Sequence, residues 1–294
     1  MKFRNKILLS IWGVVLSLLV ITFFIINYWT RSRIEDAFSE ALLSNRSTLN
    51  GIIGLEAEIL SRGCQVIAES PRLRAVVELQ DPKTAYQLSK ELSQTTVSDL
   101  LVLTDRRGKP LVQLVFGQKL EGDVAGRASI QQALQSGSTT DVWSLGTRVF
   151  RVSSVPLLVD RDMVGTLTLG FAITDEELGR LKQWTNNSEI FLVHQRTIVL
   201  STLDPHGQND LKTSLEASGI LDQPAAGGSA GVFKLKVPND VYLGTAFRLN
   251  KPGPAGEPIN YLIMKSTDRE LSRSLNPILG TFGIISVIFL VLTT

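Results

Sequence analysis

The chain has 294 residues, a formal net charge of +2 and 44% hydrophobic residues. The near-neutral charge leaves no electrostatic footprint for nucleic acid, and the lone cysteine, Cys64, excludes an intrachain disulfide framework. The length admits one or two domains.

The apolar residues are unevenly spread. Ile7 to Trp29 carry no charge (ILLSIWGVVLSLLVITFFIINYW), and a helix needs about 20 such residues to cross a bilayer core. The stretch is longer than the roughly 7–15 residues of a signal peptide's apolar core, and no small-x-small cleavage site follows it. It is therefore expected to remain as an anchor, with Tyr28 and Trp29 at headgroup level. Lys2, Arg4 and Lys6 precede it and Arg31 and Arg33 follow, a bias that keeps the N-terminus cytoplasmic. Residues 1–29 thus read as a cytoplasmic tip and a first transmembrane helix.

Residues 30–96 read as a long stalk helix and shorter helices after it. Ile34, Phe38, Leu42, Leu49, Ile52, Ile59 and Val66 recur at helical spacing. A helix of about forty residues reaches about 60 Å. Gly51, Gly54 and Gly63 weaken it locally, by about 1 kcal/mol each against alanine. Such a helix pairs two copies as a signalling stalk or covers its own sheet, and the two roles are compatible. Ser70-Pro71 ends it, and Asp81-Pro82 starts another helix to about Gln94.

Strands follow at 100–104 and 111–115, joined by the polar turn Asp105 to Pro110, in which Asp105 reads as a turn residue. A short helix at 128–135 ends at Ser136-Gly137. Strands at 149–158 and 164–173 flank Asp160-Arg161-Asp162. Thr174-Asp175-Glu176-Glu177 fits a capping box, in which Thr174 and Glu177 satisfy free N–H groups at a helix start. The pattern then recurs. Strands at 189–192 and 197–200 enclose His194-Gln195-Arg196, a short helix covers 211–217, Gly227-Gly228-Ser229-Ala230-Gly231 form a loop, and strands run at 232–237, 241–249 and 259–265.

A second capping box, Thr267-Asp268-Arg269-Glu270, comes next. The two helix starts, TDEELGR from Thr174 and TDRELSR from Thr267, share Thr, Asp, Glu, Leu and Arg in register. Each follows the last strand of its set, which argues for two copies of one module, 97–185 and 186–276. The strands are more continuously apolar than a sheet with one wet face. Both faces are therefore expected to be covered, one by the long helix and one by loops enclosing a pocket. Residues 277–294 (PILGTFGIISVIFLVLTT) form the other long apolar segment, a second transmembrane helix.

This order of elements resembles the double-Cache, or tandem PAS-like, sensor regions of bacterial transmembrane receptors. The stretches that carry the likeness are Leu103 to Val112 (LTDRRGKPLV), Val152 to Leu157 (VSSVPL), Val164 to Phe171 (VGTLTLGF), Glu189 to Leu192 (EIFL) and Val199 to Leu203 (VLSTL). The likeness covers most of residues 30–276 and rests on the order of elements more than on any motif. It implies an α+β fold with the long helix packed along two PAS-like antiparallel-sheet modules, 97–185 membrane-distal and 186–276 membrane-proximal, flanked by two transmembrane helices. It also implies a two-pass protein of the bacterial inner membrane with 30–276 extracytoplasmic, a small ligand in the distal module, and a following output such as a histidine kinase, a cyclase or a chemoreceptor rod. Many members hold amino acids through aromatic, arginine and aspartate residues, a set that does not align cleanly with this chain.

For a site, the residues themselves offer Trp143, Arg148, Phe150, Arg151 and Ser153. Arg148 and Phe150 share one strand face, Arg151 and Ser153 the other. A guanidinium in a half-apolar pocket holds a carboxylate bidentately, with Trp143 as wall or cation–π partner. The bland alternative makes Trp143 core and both arginines solvated. His194 and His206 lack companions at metal-ligand spacing. No nucleophile elbow occurs, and the 227–231 loop lacks the Lys and Ser/Thr of a phosphate loop. No cofactor, metal or catalysis is expected. The expected protein is a ligand-sensing region, homodimeric through its long helix, that passes a shift of the first sheet through the helix from Thr267 into the second span. The alternative is a membrane-tethered scaffold or partner-binding protein with no small ligand.

Overall fold

The computed structural model describes residues 3–96, 98–120, 124–203, 205–220, 231–238, 240–250, 258–269 and 272. Most side chains of 3–35 and those of 205–208 fall outside that description. Helix α1, Phe3–Ala68, runs unbroken for 66 residues. It passes through Gly51, Gly54 and Gly63, where an added Cβ would meet nothing within 4 Å, so packing does not require glycine there. The first expected span lies inside α1. Among the described residues no helix is long and apolar enough to cross a membrane. The second expected span, 277–294, lies outside them.

Two proline-started helices come after α1, α2 (Pro71–Leu79) and α3 (Pro82–Thr95). The Asp81 carboxylate caps α3 by accepting from the N–H groups of Lys83 and Thr84. The sequence pattern assigns no helix to 71–79. One forms because Leu73, Val76 and Val77 fall on one face and are buried, while Gln80 closes it in a left-handed conformation at φ 53°.

The first sheet comprises β1 (Leu100–Asp105), β2 (Pro110–Val115), β3 (Gln118–Lys119), β4 (Thr139–Leu145), β5 (Arg148–Val159) and β6 (Asp162–Ala172) in the order β3-β2-β1-β6-β5-β4. Every pairing in it is antiparallel. One face packs Leu101, Leu103, Val155, Leu157 and Leu167 against Leu60, Cys64 and Ala68 of α1 and against α2 and α3. The other packs Leu100, Val102, Trp143, Phe150 and Val152 against Ile130 of α4 (Ala128–Ser136). Covering on both faces explains the apolar runs of β1, β5 and β6. The edge strand β4 (TTDVWSL) escaped the sequence pattern because it is polar.

Close packing also dictates Gly165 on β6. A Cβ there would stand 2.0 Å from the carbonyl oxygen of Thr104 and 2.8 Å from Val77, so only glycine fits. The β5–β6 hairpin turns at Asp160 and Arg161, both left-handed at φ 45° and 78°, as a two-residue turn between twisted strands requires.

Helix α5 (Asp175–Trp184) leads to β7 (Glu189–His194), β8 (Thr197–Ser201), α6 (Pro205–Ser218), β9 (Phe233–Val237), β10 (Asp240–Arg248) and β11 (Ile259–Ser266). Their order is β8-β7-β11-β10-β9. Without β3, the first sheet has the same succession by rank, with the closing strand seated beside the opening one. His194 ends β7 and is buried, so it is not part of the turn, which falls on the left-handed Gln195 and Arg196. Helix α6 begins before the expected 211, and the glycine loop at 227–230 lies outside the described residues.

At the second capping motif the cap is Ser266, whose Oγ accepts from the Arg269 N–H at 3.0 Å. Thr267 instead donates its hydroxyl to the Val241 carbonyl at 2.7 Å. By contacts the chain divides into a unit of 44–231 with 245–264 and a unit of 1–43, 232–244 and 265–294. The whole first sheet belongs to the former.

Candidate functional site

Strand β5 carries four of the five residues expected at a site, and its pleat sends them to different places. Phe150 pairs across the sheet with Trp143 of β4. Both are fully buried in the core under α4. Burying an indole requires a partner for its N–H, and Trp143 Nε1 donates to Ser129 Oγ at 3.0 Å. The Arg127 guanidinium sits 5.5 Å from the indole centroid and donates to the Ser144 carbonyl at 2.9 Å. Burial pulls the Arg127 pKa down, and nearby Asp141 opposes that pull.

Arg148 begins β5 and points to solvent. Its guanidinium lies 4.5 Å from the centroid of the Phe116 ring, and among the described residues it forms no ion pair. Phe116 is 46% exposed, and with Gly117 it forms the two-residue turn between β2 and β3, which requires its left-handed φ of 50°. Its ring stands 5.9 Å from that of Phe150, tilted by 52°, so a line of aromatic contact runs from the surface to the core. Arg148 and Phe116 line a cleft of about 1070 Å³, with Lys119, Asp99, Thr174 and Asp175 also on its wall. Val115, Ala172 and Ile173 supply apolar surface. The cleft therefore offers cations for an anionic group, carboxylates for an ammonium group, and an aromatic face between them.

Arg151 and Ser153 face α1. Arg151 donates to Glu56 of α1 at 2.5 Å and also pairs with Glu177 of α5. The Arg151 side chain is only 13% exposed. Burial lowers the Arg151 pKa, but Glu177 and Glu56 outweigh it and the group is held above its ordinary value. Burial raises Glu177; Arg151 opposes this and Glu56 adds to it. The Tyr261 hydroxyl of β11 is buried beside the three charges, and burial followed by Glu177 pushes its pKa up. Tyr261 makes no hydrogen bond of good geometry among the described residues.

Ser153 is buried; its carbonyl accepts from the Cys64 thiol at 3.5 Å, and its hydroxyl has no partner among the described residues. Burial pushes the Cys64 thiol up to about 12. Asp105 serves its turn, accepting from the N–H groups of Arg107 and Lys109.

The five expected residues thus do not converge. Arg148 lines the cleft beside Phe116, while Arg151 belongs to a buried ion cluster. Sequence reasoning missed Phe116, whose only signal is an aromatic residue in a Phe-Gly turn. It also misread Glu177. Thr174 Oγ does accept from the Glu177 N–H, at 3.3 Å, but the Glu177 carboxylate goes to Arg151, because a charge-assisted bond outcompetes a neutral N–H. Among the described residues no group of His, Cys, Asp or Glu is placed to hold a metal.

Residues 36–235 match the family model of the double sensory domain of two-component sensor kinases, a double-Cache family. A comparison with curated proteins by sequence finds no match. Among solved structures, the ligand-binding domain of the Campylobacter jejuni chemoreceptor Tlp3 in complex with 4-methylisoleucine superposes with a TM-score of 0.50 at 17% identity, covering 81% of this chain and 92% of that one. The extracellular domain of the histidine kinase vpHK1S-Z8 does so with a TM-score of 0.51 at 11% identity, covering 82% and 97%. At those identities the likeness is one of fold, and the family rests on the sequence match. The chain belongs to the double sensory domain family of two-component sensor kinases.

Proposed function

We propose that this sensory region binds a small organic ligand in the cleft of Arg148 and Phe116, and that the binding is read through α5. One observation carries the reading. The same cleft is walled by Thr174 and Asp175 at the start of α5, and in the same first turn Glu177 grips Arg151, which also holds Glu56 of the long helix. A ligand that draws on Arg148 and the first turn of α5 therefore acts next to an ion cluster tying α5, β5 and α1 together. It shifts signalling only so far as it binds two arrangements of that cluster with different affinity.

The chemistry favours a carboxylate held by Arg148 against the Phe116 face, with Asp99 or Asp175 for an ammonium group. The 4-methylisoleucine bound by the Campylobacter jejuni domain makes amino acids the first class to test. In this reading residues 97–185 form the distal sensing module and 186–276 the proximal one. Residues 7–29 and 277–294 span the bacterial inner membrane, with 30–276 outside the cytoplasm, a placement that rests on their apolar sequence. Two copies pair along α1, where Leu55, Ile59 and Val66 form an apolar stripe 60%, 63% and 71% exposed. A scaffold without a ligand would have units filled by their own side chains, which the open cleft disfavours.

The test is a thermal-shift screen of the purified chain against amino acids and small carboxylates, followed by titration calorimetry of any hit. The expected result is a ligand whose affinity falls about tenfold or more in Arg148→Ala. A hit indifferent to Arg148→Ala, or a screen without hits, would overturn the assignment.

A further inference from the structure

Arg151 joins three elements through one guanidinium. It donates to Glu56 of α1 at 2.5 Å and to Glu177 of α5, and its own strand, β5, belongs to the first sheet. One cation against two carboxylates leaves the cluster with a net charge of −1. The excess charge is largely buried. The Glu177 side chain is only 12% exposed, and Glu56, at 30%, is the side nearer to water. A buried charge without its own counter-ion is costly, and taking up one proton removes it.

The place for that proton is Glu177. Arg151 faces it from β5, Glu56 from α1 and Tyr261 from β11, with Arg180 on α5 itself. Further along α5, Glu189 of β7 is met by Lys182 at 2.8 Å. Burial raises the Glu177 pKa and Glu56 adds to it, against the weaker pull of Arg151 and Arg180. Tyr261 supplies an alternative partner. Its hydroxyl is buried with no hydrogen bond of good geometry among the described residues, and such a group calls for an explanation. Burial pushes its pKa up and so keeps it protonated. It is a donor beside an acceptor that the arginine already holds.

We propose that the cluster is an acid-operated clasp on α5. At neutral pH Arg151 holds Glu56 and Glu177 together and fixes the first turn of α5 to β5 and α1. When Glu177 takes a proton from solvent, Arg151 passes wholly to Glu56 as a neutral pair, and the Glu177 carboxyl turns to the Tyr261 hydroxyl. One proton is bound, as the O–H of Glu177, and the two arrangements differ in which strand, β5 or β11, holds α5. A two-state element biased in this way makes acid a signal in its own right. The inference needs no ligand and does not depend on the Arg148 cleft.

The test is infrared difference spectroscopy of the full chain as pH is lowered, with hydrogen exchange of residues 175–181 corrected for the intrinsic pH dependence of exchange. The expected result is a protonated-carboxyl band with a midpoint above pH 4.5, absent in Glu177→Gln, and faster exchange in 175–181 once the band has grown in. Glu177→Gln, the neutral analogue, should show that faster exchange already at neutral pH. Tyr261→Phe removes only the unpaired hydroxyl. It should leave 175–181 unchanged at neutral pH and weaken proton binding by Glu177 about fivefold. The inference is overturned if the band persists in Glu177→Gln, if Tyr261→Phe leaves the midpoint where it was, or if exchange in 175–181 is the same on both sides of the midpoint. Unfolding of the unmodified chain before the band appears overturns it as well, since Glu177 would then take its proton only in the unfolded state.

Discussion

Arg148 and Arg151 stand three residues apart on one strand and meet opposite surroundings. Arg151 points under the long helix into a dry cluster with two carboxylates and is 13% exposed. Arg148 points outward over an aromatic ring at the mouth of a cleft. The odd spacing of a pleated strand is enough to send the two to opposite faces. A cation whose charge is already spent on neighbours holds the fold together, and one left with only a π face is available to a ligand.

The sharpest way to break that comparison is to remove each arginine. Arg151→Ala leaves Glu56 and Glu177 without their counter-ion and should destabilise the fold by about 3–5 kcal/mol. Arg148→Ala should stay within about 0.5 kcal/mol. Denaturant melts of both variants decide it, and equal losses would mean that Arg148 is structural. Adding Glu177→Gln to Arg151→Met should recover much of the first loss, since it removes one uncompensated charge along with its partner.

Phe116→Gly makes the comparison at the backbone. It relieves a left-handed aromatic residue but loosens the unfolded chain, so stability should move by no more than about 1 kcal/mol. Affinity for a ligand of the Arg148 cleft should nevertheless fall. A large loss of stability in the melts would show that Phe116 serves the core.

A smaller effect is expected from pH. Burial holds Glu177 above the ordinary carboxylate value of 4.5. The folded state therefore binds that proton more tightly than the unfolded chain does. The contribution is full below pH 4.5 and is lost as pH rises through the raised folded value. Glu177→Gln should remove that part of the slope of stability against pH, and an unchanged slope would contradict the assignment. Smallest in energy is the behaviour of Cys64, whose buried thiol is pushed up to about 12. It should resist thiol reagents at neutral pH until the chain is unfolded, and fast labelling of native protein would show the core under α1 to be open.

Much of the fold was legible because the sheet interior writes itself into the sequence. The runs at Leu100–Thr104 and Val164–Ile173 are apolar because both faces of their sheet are covered. The TDEELGR start of α5 is a local signal that needs no tertiary knowledge. Strand β4 was illegible because TTDVWSL at an edge owes its conformation to its pairing with β5. Helix α2 was hidden because a nine-residue segment between two prolines shows only one repeat of the helical pattern, Leu73 with Val76 and Val77.

The site was legible only in part. Arg148 was singled out as a cation on a strand, but Phe116, Glu56 and Tyr261 come from elements far apart in sequence. Glu177 looked like a cap because its partner, Arg151, arrives only through the fold. Ser153 and Trp143 show the same limit, since the face to which each points follows from strand register and not from residue type.

The central claim is that Arg148 and Phe116 receive the ligand while Arg151 and its carboxylates hold the frame. Hydrogen–deuterium exchange of the full chain, with and without a ligand found by the screen, tests this most directly. The account predicts ligand-dependent protection at 115–119, at the start of β5 and in the first turn of α5, with the buried middle of β5 protected in both states. Protection confined to the segments around Glu56 and Arg151, with 115–119 unchanged, would contradict it.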